Sequence, residues 1–347
     1  MATLTVVNEV QENESLHPLP WRRMVWVTWR QHRAALVGVA AFLGVLAIYV
    51  WLAGLHLHQV YGAAIACHPV GSAACRGLVN SFNGTGGFIS NGLALQVVPV
   101  LVGAFVGAPM LAREMENGTF RYAWTQGFGR WRWAFAKVVG LAGVVTAASA
   151  AIGVLFTWYY QPYYAAVNDR MSLTDLSLFA PGLFDLREVT LAAWTLVAFA
   201  IGALAGMLIR RVVPAIIATL AAYAGLAFAA GGYLREHYVA PIVTTRLDVF
   251  APAWILSREW TKAGRSVSQS FLSQVLQGGG ANLAGKGGVP QAIASWRYLV
   301  QHGYTQWTTY QPTNRFWPFQ VIEGSWLLVL SVLLMTVTVW LVRRRLD

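Results

Sequence analysis

Residues 189–232 read VTLAAWTLVAFAIGALAGMLIRRVVPAIIATLAAYAGLAFAAGG, two apolar runs separated only by Arg210 and Arg211. Neither run contains a charged residue, and each has about the length of roughly 20 residues with which a helix crosses the hydrocarbon of a bilayer. Pro214 suits the first turn of the second helix, where its missing N–H is not needed. The stretch therefore predicts two membrane-spanning helices joined as a tight hairpin.

Four more uncharged apolar runs of similar length lie along the chain of 347 residues. They cover Ala34–Leu55, Leu93–Leu111, Val138–Tyr160 and Ser325–Val342. The composition agrees, because only 11% of the residues are charged, whereas about a quarter are charged in a soluble domain. The runs lack the period-two alternation of a membrane barrel. We therefore expect an all-α integral membrane protein with six transmembrane helices, numbered here as spans one to six.

Lysine and arginine concentrate on one side of these spans. On that side lie Arg22, Arg23, Arg30, Arg33, Arg113, Arg121, Arg130, Arg132, Lys137, Arg210, Arg211, Arg343, Arg344 and Arg345. The short loops of the other side contain only Arg76, Arg170 and Arg187. Because short cytoplasmic loops carry the excess of basic residues, both termini are expected in the cytoplasm of a bacterial plasma membrane. The short, separate clusters also argue against a nucleic-acid partner, despite a net charge of +11.

The runs and loops divide the chain into five segments. Residues 1–20 are polar, show no cleavable signal sequence, and are expected in the cytoplasm. The segment WRRMVWVTWRQHR has an apolar and a basic side, which favours an interfacial amphipathic helix; the alternative is that it extends span one into the cytosol. Two helical stretches, Ala253–Leu276 and Val289–His302, are predicted in the long loop. The segments are 1–20, 21–33 (interfacial helix), 34–232 (spans one to five), 233–324 (extracellular loop subdomain) and 325–347 (span six and cytoplasmic tail).

Cys67 and Cys75 are the two cysteines of the chain, and both fall in the first loop on the predicted outer side. An oxidising exterior allows a disulfide between them, and two unpaired thiols are the alternative. His56, His58 and His68 lie nearby, but their spacing matches no metal signature, so no metal site is predicted. In span four, Gly202 and Gly206 form a small-xxx-small pair that either packs the helix closely or reflects its composition.

The segment Ala112–Lys137, AREMENGTFRYAWTQGFGRWRWAFAK, carries the most information about function. Span two is expected to continue past the membrane and to stop at Asn117-Gly118, residues that tolerate positive φ. Thr119 can then cap a short helix that ends near Gln126. A capped helix with mixed charges and aromatic side chains at the cytoplasmic surface favours docking to a soluble protein. An ordinary solvated loop is the alternative.

Two motifs resemble those of a known family. The run from Arg113 to Gln126, R-E-x-E-x-G-T-x-R-x-A-W-T-Q, followed by RWRW, resembles the inner loop of actinobacterial ABC transporter permeases of the type-2 (ABC-2) exporter class. The run Tyr310–Glu323, YQPTNRFWPFQVIE, resembles the entry to the last span of the same permeases. The resemblance implies a permease subunit that works with two copies of a separate ABC ATPase and with a second, identical or homologous permease.

The resemblance also implies roles for particular residues. The helix after Gly118 would couple the permease to the ATPase, through Arg113, Glu114, Glu116, Gly118, Thr119, Arg121 and Trp124. Spans two and five would line the route of the substrate, with Gln96, Pro99, Tyr223 and Phe228 as pathway candidates. Because the spans contain so few charges, we expect an amphiphilic or hydrophobic substrate, such as a drug, an antibiotic, a lipid or a modified peptide.

No nucleotide site is evident in the chain. Gly280–Lys286 has the spacing of a phosphate-binding loop, but Gly287 follows where Ser or Thr should hold magnesium, and no apolar strand precedes it. The chain is therefore not expected to be an enzyme, and ATP and magnesium are expected in the partner ATPase. An intramembrane enzyme would need paired carboxylates or a nucleophile within the spans. A secondary transporter or a non-transporting membrane anchor or sensor stays as the alternative function.

Overall fold

The computed structural model describes residues 21–68, 72–85, 93–118, 130–168, 177–246, 253–278 and 289–344. Within these residues six helices are long and apolar enough to cross a membrane. They are Val37–Ala66, Gln96–Glu116, Arg132–Ala165, Glu188–Ile209, Val212–His237 and Thr313–Arg344. The predicted six-span, mostly helical architecture is thus confirmed.

Span one belongs to one uninterrupted helix, Trp21–Ala66. At about 1.5 Å per residue, its 46 residues extend far beyond the roughly 30 Å of hydrocarbon. The segment 21–33 is therefore continuous with span one, as in the alternative interpretation, and does not form a separate interfacial helix. An amphipathic pattern alone could not decide this, because no helix-breaking residue separates the segment from the span.

Span four is the centre of the bundle. Its helix, Glu188–Ile209, packs against spans two, three, five and six, and most of its side chains are buried. This location explains a sequence that is apolar on all sides, since a helix without a polar face must be covered all round. Spans one and five are peripheral, and they expose large apolar side chains such as Val45, Trp51, Ile217 and Phe228.

Span two runs from 93 to 116 with a π-helical turn, Gly103–Gly107, between the α-helical parts Leu93–Val102 and Ala108–Glu116. This turn packs directly on the backbone of span four. A Cβ at Gly103 would lie 2.7 Å from the carbonyl oxygen of Ala198, and Cβ atoms at Gly202 and Gly206 would overlap the backbone of span two. The glycine pair of span four therefore packs the helix closely, because no larger residue fits at this crossing.

The loop between spans five and six contains a four-stranded antiparallel sheet with the order β1-β4-β2-β3. The strands are β1 (Ile242–Thr244), β2 (Trp254–Lys262), β3 (Arg265–Val267) and β4 (Tyr304–Gln311). Among the described residues between β3 and β4 are two helices, Gln269–Gly278 and Val289–Gln301. The second agrees with its predicted position.

The predicted helix Ala253–Leu276 is wrong over its first half, where β2 and β3 form a hairpin. Ala263 and Gly264 connect the two strands, and both have positive φ, 49° and 76°. That geometry matches the twist of a two-residue hairpin turn. The single glycine did not reveal the turn, and β2 finds its partner in β4, which lies more than 40 residues further along the chain.

The first loop is closed by a disulfide between Cys67 and Cys75, which confirms the predicted pair. The bond ties the end of the span-one helix to a second helix, Ala73–Thr85.

Candidate functional site

The cytoplasmic coupling segment predicted after span two is described up to Gly118. Gly118 has φ 67°, and the helix of span two ends at Glu116, as the Asn-Gly pair predicted. Thr119, Arg121 and Trp124, together with the predicted short helix, lie outside the described residues. Arg113 is exposed on the last turn of span two. The assignment of these residues to ATPase coupling stays a prediction.

Glu114 is engaged within the chain. Its Oε1 accepts a hydrogen bond from Lys137 Nζ at 2.5 Å, and Lys137 is only 1% exposed. The ammonium also lies 5.2 Å from the ring centroid of Trp133. This ion pair joins the end of span two to the start of span three, so Glu114 is not a free surface charge.

Glu116 joins span two to span five. Its exposed carboxylate Oε2 accepts a hydrogen bond from the backbone N–H of Val212 at 3.1 Å. Val212 is the first residue of the span-five helix, and the preceding Arg211 provides no side-chain cap. The carboxylate therefore satisfies one of the N–H groups that a helix leaves unpaired at its start, where negative charge is also favoured.

The four pathway candidates lie in different environments. On span two, Gln96 is half-buried and Pro99 is buried. On span five, Tyr223 packs against Trp194 of span four, with ring centroids 5.6 Å apart, and Phe228 is 81% exposed. Phe228 thus faces away from its own subunit. The proposed contact of these residues with a substrate stays a prediction.

An ion-pair cluster that the sequence did not indicate occupies the opposite end of the bundle, next to the sheet. Arg235, from the end of span five, donates through Nη2 to Asp185 Oδ1 and to Glu323 Oε1, the latter at 2.8 Å. Its Nε donates to Glu323 Oε2 at 3.0 Å. Arg235 and Glu323 are fully buried, and the guanidinium also lies 4.2 Å from the ring centroid of Phe184. We call Asp185, Arg235 and Glu323 the outer cluster.

Neutral hydrogen bonds complete the outer cluster. Trp194 Nε1 of span four donates to Glu323 Oε1 at 2.9 Å, and the Tyr238 hydroxyl donates to Glu323 Oε2 at 3.2 Å. Trp326 Nε1 of span six donates in turn to the Tyr238 oxygen at 2.8 Å. A buried charge is tolerated only when it is paired and hydrogen-bonded, and Glu323 meets both conditions. The cluster therefore fastens spans four, five and six to one another.

A short hydrogen-bonded chain on the same side ties the loop before span four to span six. Gln320 Nε2 donates to the carbonyl oxygen of Phe184 at 2.7 Å. The hydroxyl of Thr190 lies 3.0 Å from Gln320 Oε1 and 2.8 Å from the same carbonyl. Asp185, which follows Phe184 directly, is held in place by these contacts.

The pKa values of Asp185 and Tyr238, which lie just outside the spans, are shifted by their location in and next to the outer cluster. Burial raises the pKa of Asp185 to about 7; Arg235 opposes this shift, and the neighbouring Glu323 adds to it. The pKa of Tyr238 is raised as well, mainly by burial and then by Glu323. Asp185 is thus the member of the cluster whose charge can change near neutral pH.

The outer cluster could not be predicted from hydropathy, because two of its charged residues lie at the ends of spans five and six. Hydropathy ends span five at Gly232 and begins span six at Ser325, which places Arg235 and Glu323 in the loop. In the structure the helical segments continue to His237 and begin at Thr313. The signal was the Glu323 carboxylate within the aromatic run that precedes span six, since a lone acid in that setting requires a partner.

Comparison with known proteins identifies the family. The sequence model of a family described as ABC-2 membrane transporter related matches residues 40–235, which is more than half of the chain and covers nearly all of spans one to five. No curated protein and no solved structure matches the chain. The match contains the inner-loop motif Arg113–Gln126, one of the two motifs that resemble ABC-2 permeases; the other, Tyr310–Glu323, lies outside it. With its six apolar spans, the chain therefore belongs to the ABC-2 membrane transporter related family and is a multi-pass membrane permease.

Proposed function

We propose that the chain is the membrane-spanning subunit of an ATP-driven exporter, which moves an amphiphilic or hydrophobic substrate out of a bacterial cell. Permeases of this family generally work with an ABC ATPase. The observation that carries the proposal is the hydrogen bond from Val212 to Glu116, because it connects the predicted docking segment to the start of span five. Both termini and the segment 112–137 face the cytoplasm in this arrangement.

The carboxylates of Glu114 and Glu116, at the end of span two, connect the proposed docking loop to spans three and five. Closure of the ATPase displaces the loop after Gly118, and the displacement reaches span five through Glu116 and span three through the Glu114–Lys137 pair. The outer cluster holds the far ends of spans four, five and six together. A helix that is pushed at one end and held at the other tilts, which opens a route on one side of the membrane and closes it on the other.

The assembly contains two copies of the ATPase and a second permease, identical or homologous. ATP and magnesium are held by the ATPase subunits. The exposed apolar faces of the peripheral spans one and five suit contact with lipid and equally with a second membrane subunit. Gln96 and Pro99 on span two and Tyr223 and Phe228 on span five would then line a route between the two permeases.

The test starts from the chain that copurifies in mild detergent. The complex is reconstituted, and its ATP turnover is measured for the unaltered permease, for Arg121→Ala and Trp124→Ala, and for the control Arg258→Ala, which removes an exposed arginine of β2. Loss of a docking contact should reduce turnover by about tenfold while the control keeps it.

The outcomes separate the parts of the proposal. If both coupling variants keep full turnover and remain folded, the contact residues are assigned wrongly. If no ATPase accompanies the unaltered chain, the exporter itself is rejected, and the anchor or sensor function takes its place.

A further inference from the structure

A cavity of about 720 Å³ lies beside the outer cluster, between spans three, four and six. Its walls come from the last turns of span three, Val154 to Tyr164, from the start of span four and from the start of span six. The volume is in the range of ligand sites. None of the residues that the proposed coupling uses lines this cavity.

Arg187 is the cation of the cavity. Its guanidinium lies over three aromatic rings, with Cζ 4.6 Å from the centroid of Tyr164, 5.1 Å from that of Phe316 and 5.0 Å from that of Trp317. Among the described residues no carboxylate pairs with it, and its buried Nε has no hydrogen-bond partner. The ring faces fix the guanidinium and make no use of its in-plane donors, which suit the oxygens of a phosphate.

Glu188, the next residue, lines the same cavity and is half-buried. No cation of the described part of the chain lies within ion-pair distance of its carboxylate. The start of the span-four helix stabilises this negative charge without a partner. Two neighbouring residues of opposite charge therefore face one cavity without pairing with each other, an arrangement complementary to a ligand that carries both charges.

The remaining walls divide into polar and apolar parts. The hydroxyls of Thr157 and Tyr164 are buried and have no hydrogen-bond partner among the described residues. Val154, Trp158 and Trp317 supply apolar surface. The cavity thus offers hydrogen bonds to a charged head and contact area to an apolar body.

The location of the cavity indicates which class of ligand it binds. Span three ends at Ala165, span four begins at Glu188 and span six begins at Thr313, so the cavity lies where the bundle meets the membrane boundary. We propose that it binds the headgroup of a phosphatidylethanolamine-type phospholipid, with the phosphate on Arg187 and the ammonium on Glu188. A primary ammonium donates up to three hydrogen bonds, which the carboxylate and the free hydroxyls can accept. The acyl chains continue along the apolar surface of the spans.

Native mass spectrometry of the purified protein in detergent tests this binding without any ATPase. The titrants are phosphatidylethanolamine, phosphatidylglycerol, which keeps the phosphate and lacks the amine, and soluble O-phosphoethanolamine, which lacks the acyl chains. The unaltered protein should bind phosphatidylethanolamine about tenfold more tightly than either of the others. Arg187→Gln should weaken binding of both lipids about tenfold, whereas Glu188→Gln should remove the preference for the amine.

The chain offers a matched control in the adjacent exposed pair of β2, changed as Arg258→Gln and Glu259→Gln, for which lipid binding should be unchanged. Equal affinity of the unaltered protein for the two lipids would overturn the zwitterionic assignment, and so would a Glu188→Gln protein that keeps the preference. Binding of O-phosphoethanolamine as tight as that of the lipid would show that the ligand is not a lipid. If Arg187→Gln does not fold, the Glu188→Gln result decides alone.

Discussion

The two ends of the bundle are fastened by ion pairs of different construction. Next to the sheet, one arginine is shared by two carboxylates, and Glu323 accepts further hydrogen bonds from a tryptophan and a tyrosine. At the end where Gly118 lies, Glu114 has one ion pair, and its second oxygen has no partner among the described residues. Glu116 at that end is exposed and makes its single described contact to a backbone N–H.

If the permease is driven from one side, as proposed, this difference indicates that the Gly118 end is the one that moves. Breaking the outer cluster would leave the fully buried Glu323 without its cation. At the Gly118 end only the Glu114–Lys137 pair is buried, and the exposed Glu116 contact can be exchanged with water at small cost. A permease that is driven from one side requires such asymmetry, because rigid ends on both sides would prevent the spans from tilting. The following changes test whether the two ends differ as strongly as their contacts suggest.

Arg235→Met should produce the largest effect, because it leaves the Glu323 carboxylate, which is 0% exposed, without its cation. We expect the free energy of unfolding to fall by about 3–5 kcal/mol. The corresponding change at the other end, Lys137→Met, should cost about 2 kcal/mol, since the Glu114 side chain is 13% exposed and Glu323 is not exposed at all. Denaturant unfolding in detergent micelles, followed by tryptophan fluorescence, measures both.

The double variant Arg235→Met with Glu323→Gln serves as the control for the outer cluster. It should be more stable than Arg235→Met alone, because the fully buried Glu323 charge is gone and only Asp185, whose side chain is 21% exposed, is left without its cation. Equal losses from Arg235→Met and Lys137→Met would contradict the asymmetry of the two ends.

Asp185 should make the stability of the outer end depend on pH. Its pKa is about 7 in the folded chain, with Arg235 and Glu323 facing the carboxyl, and near 4 in the unfolded chain. Between these values the folded chain holds a proton that the unfolded chain has released, so the free energy of unfolding decreases as pH rises from about 4 to about 7 and is then level. The slope is at most about 1.4 kcal/mol per pH unit.

Unfolding midpoints at pH 5, 6, 7 and 8 measure this dependence, and Asp185→Asn provides the reference that cannot titrate. The slope of the unaltered protein should exceed that of Asp185→Asn in the acidic part of the range. Parallel curves for the two proteins would show that Asp185 keeps an ordinary pKa.

The spans and the disulfide could be predicted from sequence because each depends on local information. An uncharged run of sufficient length must cross the bilayer as a helix, and two cysteines on one side have a single way to pair. The outer cluster depends on Asp185, Arg235 and Glu323, which are separated by about 50 and 90 positions. Hydropathy ended each span at its first charge and so assigned two of the three to the solvated loop.

A sequence motif could identify candidate site residues, but it could not predict which residues they contact. The motif at 113–126 singled out Glu114 and Glu116 as surface contacts of an ATPase. Their partners within the chain, Lys137 and the N–H of Val212, belong to later elements, and only the packing of spans two, three and five brings them within reach. The strands of the loop were missed for the same reason, because β2 pairs with the distant β4.

The smallest change in stability is expected for variants of Glu116. The same variants test what this residue does at the Gly118 end. If it acts as the cap of span five, Glu116→Gln keeps an acceptor oxygen and should retain most of the ATP turnover of the reconstituted complex, whereas Glu116→Ala removes the acceptor and should uncouple span five. If it acts as a charged contact of the ATPase, both variants lose the charge and should fail alike. Loss of an N-terminal cap costs about 0.5–1 kcal/mol at an exposed site, so Glu116→Ala should remain folded, and its unfolding midpoint should move far less than that of Arg235→Met. Turnover and midpoint measured on the same preparations distinguish the two roles, and full turnover in both variants would remove Glu116 from the coupling route.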